Sequence, residues 1–157
     1  MASARKVELD CEAPFALAAA KVVGVRAEEV FEHSGDVLGL GDIERVHDMR
    51  VATRRLRAAL EVFEPCFPDK RHGKALKGVK TLADALGKRR DADVEIELLE
   101  GLADEVEGED LEALRALIDE LRAKQRRAND DLAPVVTDKR LRKLHKRLVK
   151  LVTAVEA

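Results

Sequence analysis

The sequence predicts an all-α protein, an antiparallel bundle of about six helices. Its hydrophobic content of 46% comes mainly from Ala, Leu and Val, charged residues reach 38%, and the chain has no Trp and no Tyr. Such a composition is typical of helices with one apolar and one charged face. No run alternates apolar and polar residues for long enough to predict a strand. The 157 residues suit one domain, 1–157, in which we expect 1–12 to form a flexible N-terminus.

Proline, glycine and capping residues mark the ends of the first two helices. The first is predicted from about Pro14 to Ser34, before the glycine-rich SGDVLGLGD. The second begins near Asp42, whose carboxylate can accept from the free amides of the first turn. It ends at FEPCFPD, because Pro65 and Pro68 prevent its continuation.

Similar signals predict four further helices. The third runs from about Asp69 to Leu86 and is closed by Gly87. Asp91 is placed to cap a fourth helix, DADVEIELLEGLADEVE, which ends before GED. The fifth and sixth helices are predicted at about Leu111 to Leu132 and in DKRLRKLHKRLVKLVTAVEA, which Thr137 caps.

The overall charge argues against a general affinity for polyanions. The chain has 29 basic and 31 acidic residues and a net charge of -2, so attraction for a polyanion must be local. Acids dominate from Asp91 to Glu120, whereas the third and sixth helices are basic. Solvated faces with ion pairs four residues apart explain much of the acidic half.

Neither the cysteines nor the apolar N-terminal run indicates export. Cys11 and Cys66 are far apart and in no CxxC arrangement, so neither a disulfide framework nor a zinc ribbon is indicated. The run APFALAAAKVVGV is broken by Lys21, which argues against a signal peptide and a membrane span. We expect a cytoplasmic protein with reduced thiols and no membrane partner.

The segment VHDMRVATRRLRAALEVF carries the densest cluster of basic residues. At about 100° per residue, His47, Arg50, Arg54 and Arg57 form one row, here called the arginine stripe, whereas Arg55 points elsewhere. The opposite side is apolar and is predicted to face the core. Arg50 and Arg54 are like-charge neighbours, which costs roughly a few tenths of a kcal/mol unless an anion compensates. Solvated arginines with scattered partners are the alternative to an anion site.

Arginine in such a row suits phosphate. Its planar guanidinium binds a phosphate through two parallel hydrogen bonds, and successive helical turns rise about 5.4 Å, so one row can contact consecutive phosphates of an extended chain. His47 can donate to the same anion, or instead serve as a capping or core-packed imidazole. Glu61, four residues after Arg57, can pair with that arginine.

Basic rows on the third and sixth helices make a shared basic surface plausible when taken together with the stripe. Arg26 lies among apolar positions of the first helix, where it either lines a polar groove or extends its head to solvent. The lysines assigned to the shared surface are Lys74, Lys77, Lys80, Lys143 and Lys146.

The sequence contains no catalytic constellation, and we expect neither an enzyme nor a cofactor. The four histidines form no i,i+4 pair and no HExxH motif, so no metal site is predicted. Phosphate-binding loops, dinucleotide fingerprints and nucleophile elbows are absent. Nucleic acid is disfavoured as a partner because the chain lacks Trp and Tyr for base stacking and has a densely acidic half. A flexible anion without bases, inorganic polyphosphate above all, fits better.

The stripe segment closely resembles the hallmark helix of the CHAD domain, the conserved histidine α-helical domain, which has the form VHxxRVxxRRLRxxLxxF. The segment LADALGKRRDADVEIELLE is similar to the family's ALGxxRDxDVxxExL stretch. The resemblance implies four-helix bundles with a basic groove that binds polyphosphate, and association with polyphosphate granules. We take Asp91 and Asp93 as structural, from the capping argument. By motif matching, the ligand-facing residues are His47, Arg50, Arg54 and Arg57, with Arg55 and the second-motif Arg90 as further members.

The length departs from the family pattern, because members usually have two similar helical halves and this chain resembles the first. Leu148 stands where the arginine of a second His/Arg helix would follow His145. A half-domain with exposed apolar stripes would most simply pair with a second copy. We therefore expect a homodimer whose arginine helices face one groove. A stable monomer or a fragment is the alternative.

Two other functions stay open. In the first, the chain is an enzyme that acts on phosphate compounds and uses His47 as nucleophile or phosphoacceptor. A helical scaffold or nucleic-acid-binding protein is the other.

Overall fold

The computed structural model describes residues 3–156 and contains helices but no strands over that range. This confirms the predicted all-α bundle, with five α-helices in place of about six. A short 3-10 helix, Glu64–Cys66, joins the second helix to the third. The α-helices are α1 (Phe15–Glu32), α2 (Ile43–Val62), α3 (Asp69–Ala103), α4 (Gly108–Leu132) and α5 (Asp138–Glu156).

Helices α1, α2, α3 and α5 enclose the hydrophobic core. α2 packs between α1 and α3, and α5 closes the ring by contacting both α1 and α3. Met49, Leu56 and Leu60 of α2 are fully buried, as the helical period predicts. Each such side chain contributes about 1.5–3 kcal/mol when it leaves water. This burial fixes the rotation of α2 and directs the arginine stripe outward.

The predicted boundary at Gly87 and the predicted cap at Asp91 are wrong, because both residues lie inside α3. This helix has 35 residues and is roughly 50 Å long at 1.5 Å per residue. A glycine inside a helix costs only about 1 kcal/mol relative to alanine, and packing on both flanks, against α2 and α4, offsets that cost. The glycine with a positive φ of 65° is Gly108, which begins α4.

The second half of α3 and α4 form a helical hairpin that extends from the core. α4 packs mainly against α3. Ion pairs join the two helices across the surface, with Arg122 Nη2 at 2.6 Å from Glu100 Oε1 and Lys124 Nζ at 2.7 Å from Glu95 Oε2. The acids of this half are therefore paired partly between helices as well as along them.

A buried polar network fixes the base of the hairpin. The Arg89 and Asp93 side chains, both 0% exposed, pair one turn apart on α3. Gln125 Nε2 of α4 donates to Asp93 Oδ1 at 2.6 Å. Asn129 accepts from Arg89 Nε at 3.3 Å and donates through Nδ2 to the carbonyl of Leu38 at 3.0 Å. Asp93 is thus structural as expected, but through a buried ion pair and not as a cap.

The N-terminal segment is attached to α1 by arginine contacts. Residues 3–14 lie outside any helix. They include 3–12 of the segment 1–12 that is predicted to be flexible, and residues 1 and 2 lie outside the described range. The backbone N–H of Arg5 donates to Glu29 Oε1 at 2.6 Å, and Arg26 Nη1 donates to the same oxygen at 2.5 Å. Arg26 Nη2 also donates to the carbonyl of Arg5 at 2.9 Å. Among the helices of this range, none is both long enough and apolar enough to cross a membrane.

Candidate anion-binding site

Helix α2 presents the arginine stripe at the surface. Its N-cap is Asp42, as predicted, and Asp42 Oδ1 accepts from the backbone N–H of Glu44 at 3.2 Å. Within the stripe Arg54 is exposed, and the other three side chains are half-buried. Within residues 3–156, Arg50 and Arg54 make no ion pair and no hydrogen bond with another side chain.

Helices α2 and α3 run antiparallel. His72 Nε2 lies 2.7 Å from the carbonyl of Leu60, near the end of α2. Arg90 Nη2, eighteen residues further along α3, lies 3.9 Å from Glu44 Oε1 at the start of α2. The antiparallel direction brings the stripe segment VHDMRVATRRLRAALEVF next to the segment LADALGKRRDADVEIELLE, although His47 and Arg90 are some forty residues apart in the sequence.

The two motifs meet in a shallow pocket of about 400 Å³, here called the stripe pocket. Arg90 is largely buried in it, with a side chain only 12% exposed. Its Nη1 atom is buried and has no hydrogen-bond partner among the described residues. A buried unpaired donor is unfavourable, and an oxyanion in the pocket would satisfy it. The pocket is lined by His47, Arg50, Arg90, Asp91, Val94 and Glu95.

The far end of the stripe is partly neutralised. Arg57 Nε donates to Glu61 Oε1 at 3.0 Å, as the sequence predicts, and Lys80 Nζ of α3 lies 3.4 Å from the same oxygen. The hydrogen bond from Arg57, followed by the interactions with Lys80, lowers the pKa of Glu61 below its ordinary value. Arg57 and Lys80 therefore share one carboxylate, whereas Arg50 and Arg54 of the stripe have no such partner within residues 3–156.

Lys74, Lys77 and Lys143 come together elsewhere, in a cleft of about 590 Å³ between α3 and α5, here called the α3–α5 cleft. Two arginines of α5, Arg140 and Arg147, also line it, and the sequence analysis missed both. Helical periodicity could have identified them from the sequence, because residues 140, 143 and 147 share one side of a helix.

The remaining predicted site residues lie apart from the stripe pocket and the cleft. Arg26 is held by Glu29 and the N-terminal segment. Lys146 is exposed on α5 and lines neither cavity. Arg55 is half-buried, and its Nη1 atom is buried without a hydrogen-bond partner among the described residues.

Two carboxylates accompany His47 on the first turns of α2. The ligand atoms of Glu44, His47 and Asp48 lie within 4.8 Å of one another, a grouping that the search for paired histidines missed. The guanidinium of Arg90 is 3.9 Å from Glu44, and its positive charge disfavours a metal cation there. The carboxylates can instead orient the imidazole, which leaves its other nitrogen for the pocket.

Comparison with known protein families matches residues 23–157 to the CHAD domain. The matched region covers most of the chain and includes α2 to α5, hence both motifs and both cavities. A comparison with curated proteins finds no match.

Proposed function

The chain belongs to the CHAD domain family, and on this premise we propose that it is a non-enzymatic module that binds inorganic polyphosphate through the arginine stripe. Polyphosphate binding is the property for which this domain is known. The observation that carries the proposal is that Arg50 and Arg54 have no partner within residues 3–156, while Arg90 holds a buried, unpaired N–H at the same surface. We further propose that the protein is cytoplasmic and acts at polyphosphate granules.

The stripe has the length and direction of a chain site. His47 to Arg57 spans ten residues, roughly 15 Å along the helix axis, with Arg90 at the His47 end and Lys80 at the Arg57 end. Arg50 and Arg54 would each bind a phosphoryl group through two hydrogen bonds. His47 and Arg90 would donate to the next group along, so that several consecutive phosphates are held in line.

The aromatic residues favour polyphosphate over nucleic acid. All four phenylalanines make ring contacts inside the protein, and none lines the stripe pocket or the α3–α5 cleft. Without exposed rings at the cations there is no platform on which bases can stack. The intramolecular ring pairs are Phe15–Phe63, Phe31–His145 and Phe67–His72.

Charge reversal in the middle of the stripe tests the proposal. Arg54→Glu replaces an exposed, unpaired cation, so we expect the helix to stay folded and the Kd for long-chain polyphosphate to rise by at least about tenfold. The matched control is Arg115→Glu, the same change at an exposed position of α4, which should retain binding. Titration calorimetry at two salt concentrations, beside single-stranded RNA of equal charge, gives both comparisons. Unchanged binding by a folded Arg54→Glu variant would contradict the proposal.

We propose that two copies associate through an apolar row on α3. Val94, Leu98 and Leu102 are 48%, 71% and 45% exposed and recur every four residues, so they share one face of the helix. A contiguous exposed row of this kind is uncommon on monomers. Val94 also lines the stripe pocket, so a partner docked on this row would bring its own stripe close to the first.

Phosphoryl transfer through His47 is the second candidate, favoured by the carboxylates of Glu44 and Asp48 nearby. A carboxylate that fixes the imidazole tautomer is what a histidine nucleophile requires. Mass spectrometry of the protein after incubation with polyphosphate distinguishes the two functions. Phosphohistidine at His47 supports transfer, and an unmodified protein that binds polyphosphate supports the binding module.

A further inference from the structure

The α3–α5 cleft concentrates positive charge in a concave surface. Five cations line its walls, two from α3 and three from α5, and no acidic residue of the described chain lines it. Apolar side chains such as Leu82 and Leu144 form its floor, which lowers the local dielectric and strengthens the field of the cations above it. The five cations are Lys74, Lys77, Arg140, Lys143 and Arg147.

These cations are not neutralised by acids of the described part of the chain. Over residues 3–156 none of the five forms an ion pair, whereas Arg122 and Lys124 of the α3–α4 hairpin pair with glutamates of the facing helix. Two helices that both present cations to one cleft repel each other, because like charges close together are unfavourable. An anion between them would remove that repulsion.

Close packing of α3 and α5 draws the two basic walls together. A Cβ atom at Gly78 would lie 2.8 Å from Leu144 Cδ1, closer than side-chain atoms approach, so a side chain there would have to displace the end of Leu144. Lys74 and Lys77 lie within one turn before Gly78 on α3, and Lys143 and Arg147 flank Leu144 on α5. The contact that closes the helices is thus the one that sets the spacing of the cations.

The cleft continues the arginine stripe around α3. Lys77, on the cleft, precedes Lys80 by three residues and is therefore its neighbour on the helix surface. Lys80 reaches Glu61, the carboxylate that it shares with Arg57 at the end of the stripe. Cations thus follow one another from Arg57 through Lys80 and Lys77 into the cleft, and Glu61 lies between the first two.

We propose that the α3–α5 cleft is a second phosphate-chain site, which a long polyphosphate reaches from the arginine stripe by crossing α3 at Lys80 and Lys77. The inference rests on the proposed function of the stripe and extends it. A chain long enough to span both sites gains from the second because its local concentration there is high. Inorganic triphosphate is too short to span them and gains nothing.

Paired substitutions on α5 separate the cleft from a general basic field. Lys143→Gln/Arg147→Gln removes two cleft cations, and Lys139→Gln/Lys150→Gln removes two charges from exposed positions of the same helix outside the cleft. Calorimetry at several salt concentrations gives the Kd for long-chain polyphosphate and for inorganic triphosphate. We expect the cleft pair to raise the long-chain Kd about tenfold and to reduce the slope of log Kd against log salt by about two.

The control pair should change the long-chain Kd by less than about threefold, and triphosphate binding at the stripe should be the same in both variants. Lys74→Gln/Lys77→Gln, on the opposite wall, should reproduce the effect of the cleft pair and covers the case in which the α5 variant misfolds. The inference would be overturned if the cleft and control pairs lost equal affinity for long-chain polyphosphate, or if the cleft pair lost none.

The same titrations distinguish this inference from the proposed function. A wild-type protein that binds no polyphosphate refutes the stripe and the cleft together. Binding that Arg54→Glu abolishes but the cleft pair leaves unchanged refutes the cleft alone.

Discussion

Asp93→Ala should destabilise the protein more than its single lost contact suggests. Asp93 and Arg89 are both completely buried, and Gln125 Nε2 also donates to Asp93. The substitution leaves a guanidinium buried without a counter-charge and an amide without its acceptor. Burial and the nearby Arg90 already lower the pKa of Arg89. We expect the free energy of unfolding to fall by about 3–5 kcal/mol, a large share of the roughly 5–15 kcal/mol typical of a domain.

Urea unfolding followed by circular dichroism measures this loss, and an unchanged m-value would show that the two end states are intact. At about 2–4 °C per kcal/mol for a chain of this size, Tm should fall by roughly 6–20 °C. Glu95→Ala is the control, because it breaks an exposed pair with Lys124. That change should cost less than about 1 kcal/mol.

The double variant Arg89→Met/Asp93→Leu tests the reason for the loss. It replaces both charges by apolar groups of similar size, so no buried charge is left unpaired, and it should be considerably more stable than Asp93→Ala. The reasoning is refuted if Asp93→Ala costs less than about 1 kcal/mol, or if the double variant is the less stable of the two.

Two further predictions concern the stripe and the apolar row. Glu61→Gln frees Arg57 and Lys80 from their shared carboxylate and should lower the Kd for long-chain polyphosphate about threefold; an unchanged Kd would show that Glu61 does not compete with the ligand. Arg57 lowers the pKa of Glu61, so the stability that the ionised carboxylate contributes is present above the pKa of the unfolded chain and is lost only as pH falls through the lowered folded value. The difference in Kd between Glu61→Gln and wild type, which depends on the same ionised carboxylate, should therefore persist at neutral pH and vanish in acid. Leu98→Glu, in the exposed row of α3, should convert a dimer into a monomer in analytical sedimentation. The control Val62→Glu, at a 69% exposed position at the end of α2, should leave the dimer intact. A wild type that sediments only as a monomer, with or without polyphosphate, would contradict the dimer.

The sequence predicts α2 well because its determinants are local. Asp42 caps its first turn, and Pro65 lies in the 3-10 turn that follows it. The apolar period places Met49 and Leu56 in the core, which leaves the stripe no direction but outward. Both ends and the rotation of the helix therefore follow from residues within one or two turns.

The sequence does not predict the continuity of α3, because distant residues decide it. Gly87 and Asp91 have the residue types of a helix stop and a cap, and nothing next to them argues otherwise. The helix continues because Arg89 and Asp93 pair within it and meet Gln125 of α4, more than thirty residues later. Local propensity is overridden here by a buried tertiary network.

The cleft arginines show a similar limit on the candidate site. The apolar row of α5 correctly predicts that Leu144 and Leu148 are buried, but an amphipathic helix has two flanks, and only packing decides which one borders a neighbour. The approach of α5 to α3 at Gly78 selects the flank that carries Arg140 and Arg147. The meeting of His47 with Arg90 likewise depends on the antiparallel packing of α2 on α3.

If the stripe binds polyphosphate as proposed, the separation of charge along α3 gives the bound chain its direction. The acidic tip of the hairpin lies roughly 35 Å along the helix from Lys80, several times the Debye length of about 8 Å at physiological salt, so it does not cancel the field at the stripe despite the net charge of -2. A polyphosphate that extends past Arg90 towards the tip meets more acids with each turn. One that extends past Arg57 meets Lys80, Lys77 and then the α3–α5 cleft. The favourable direction for a chain longer than the stripe is therefore towards α5.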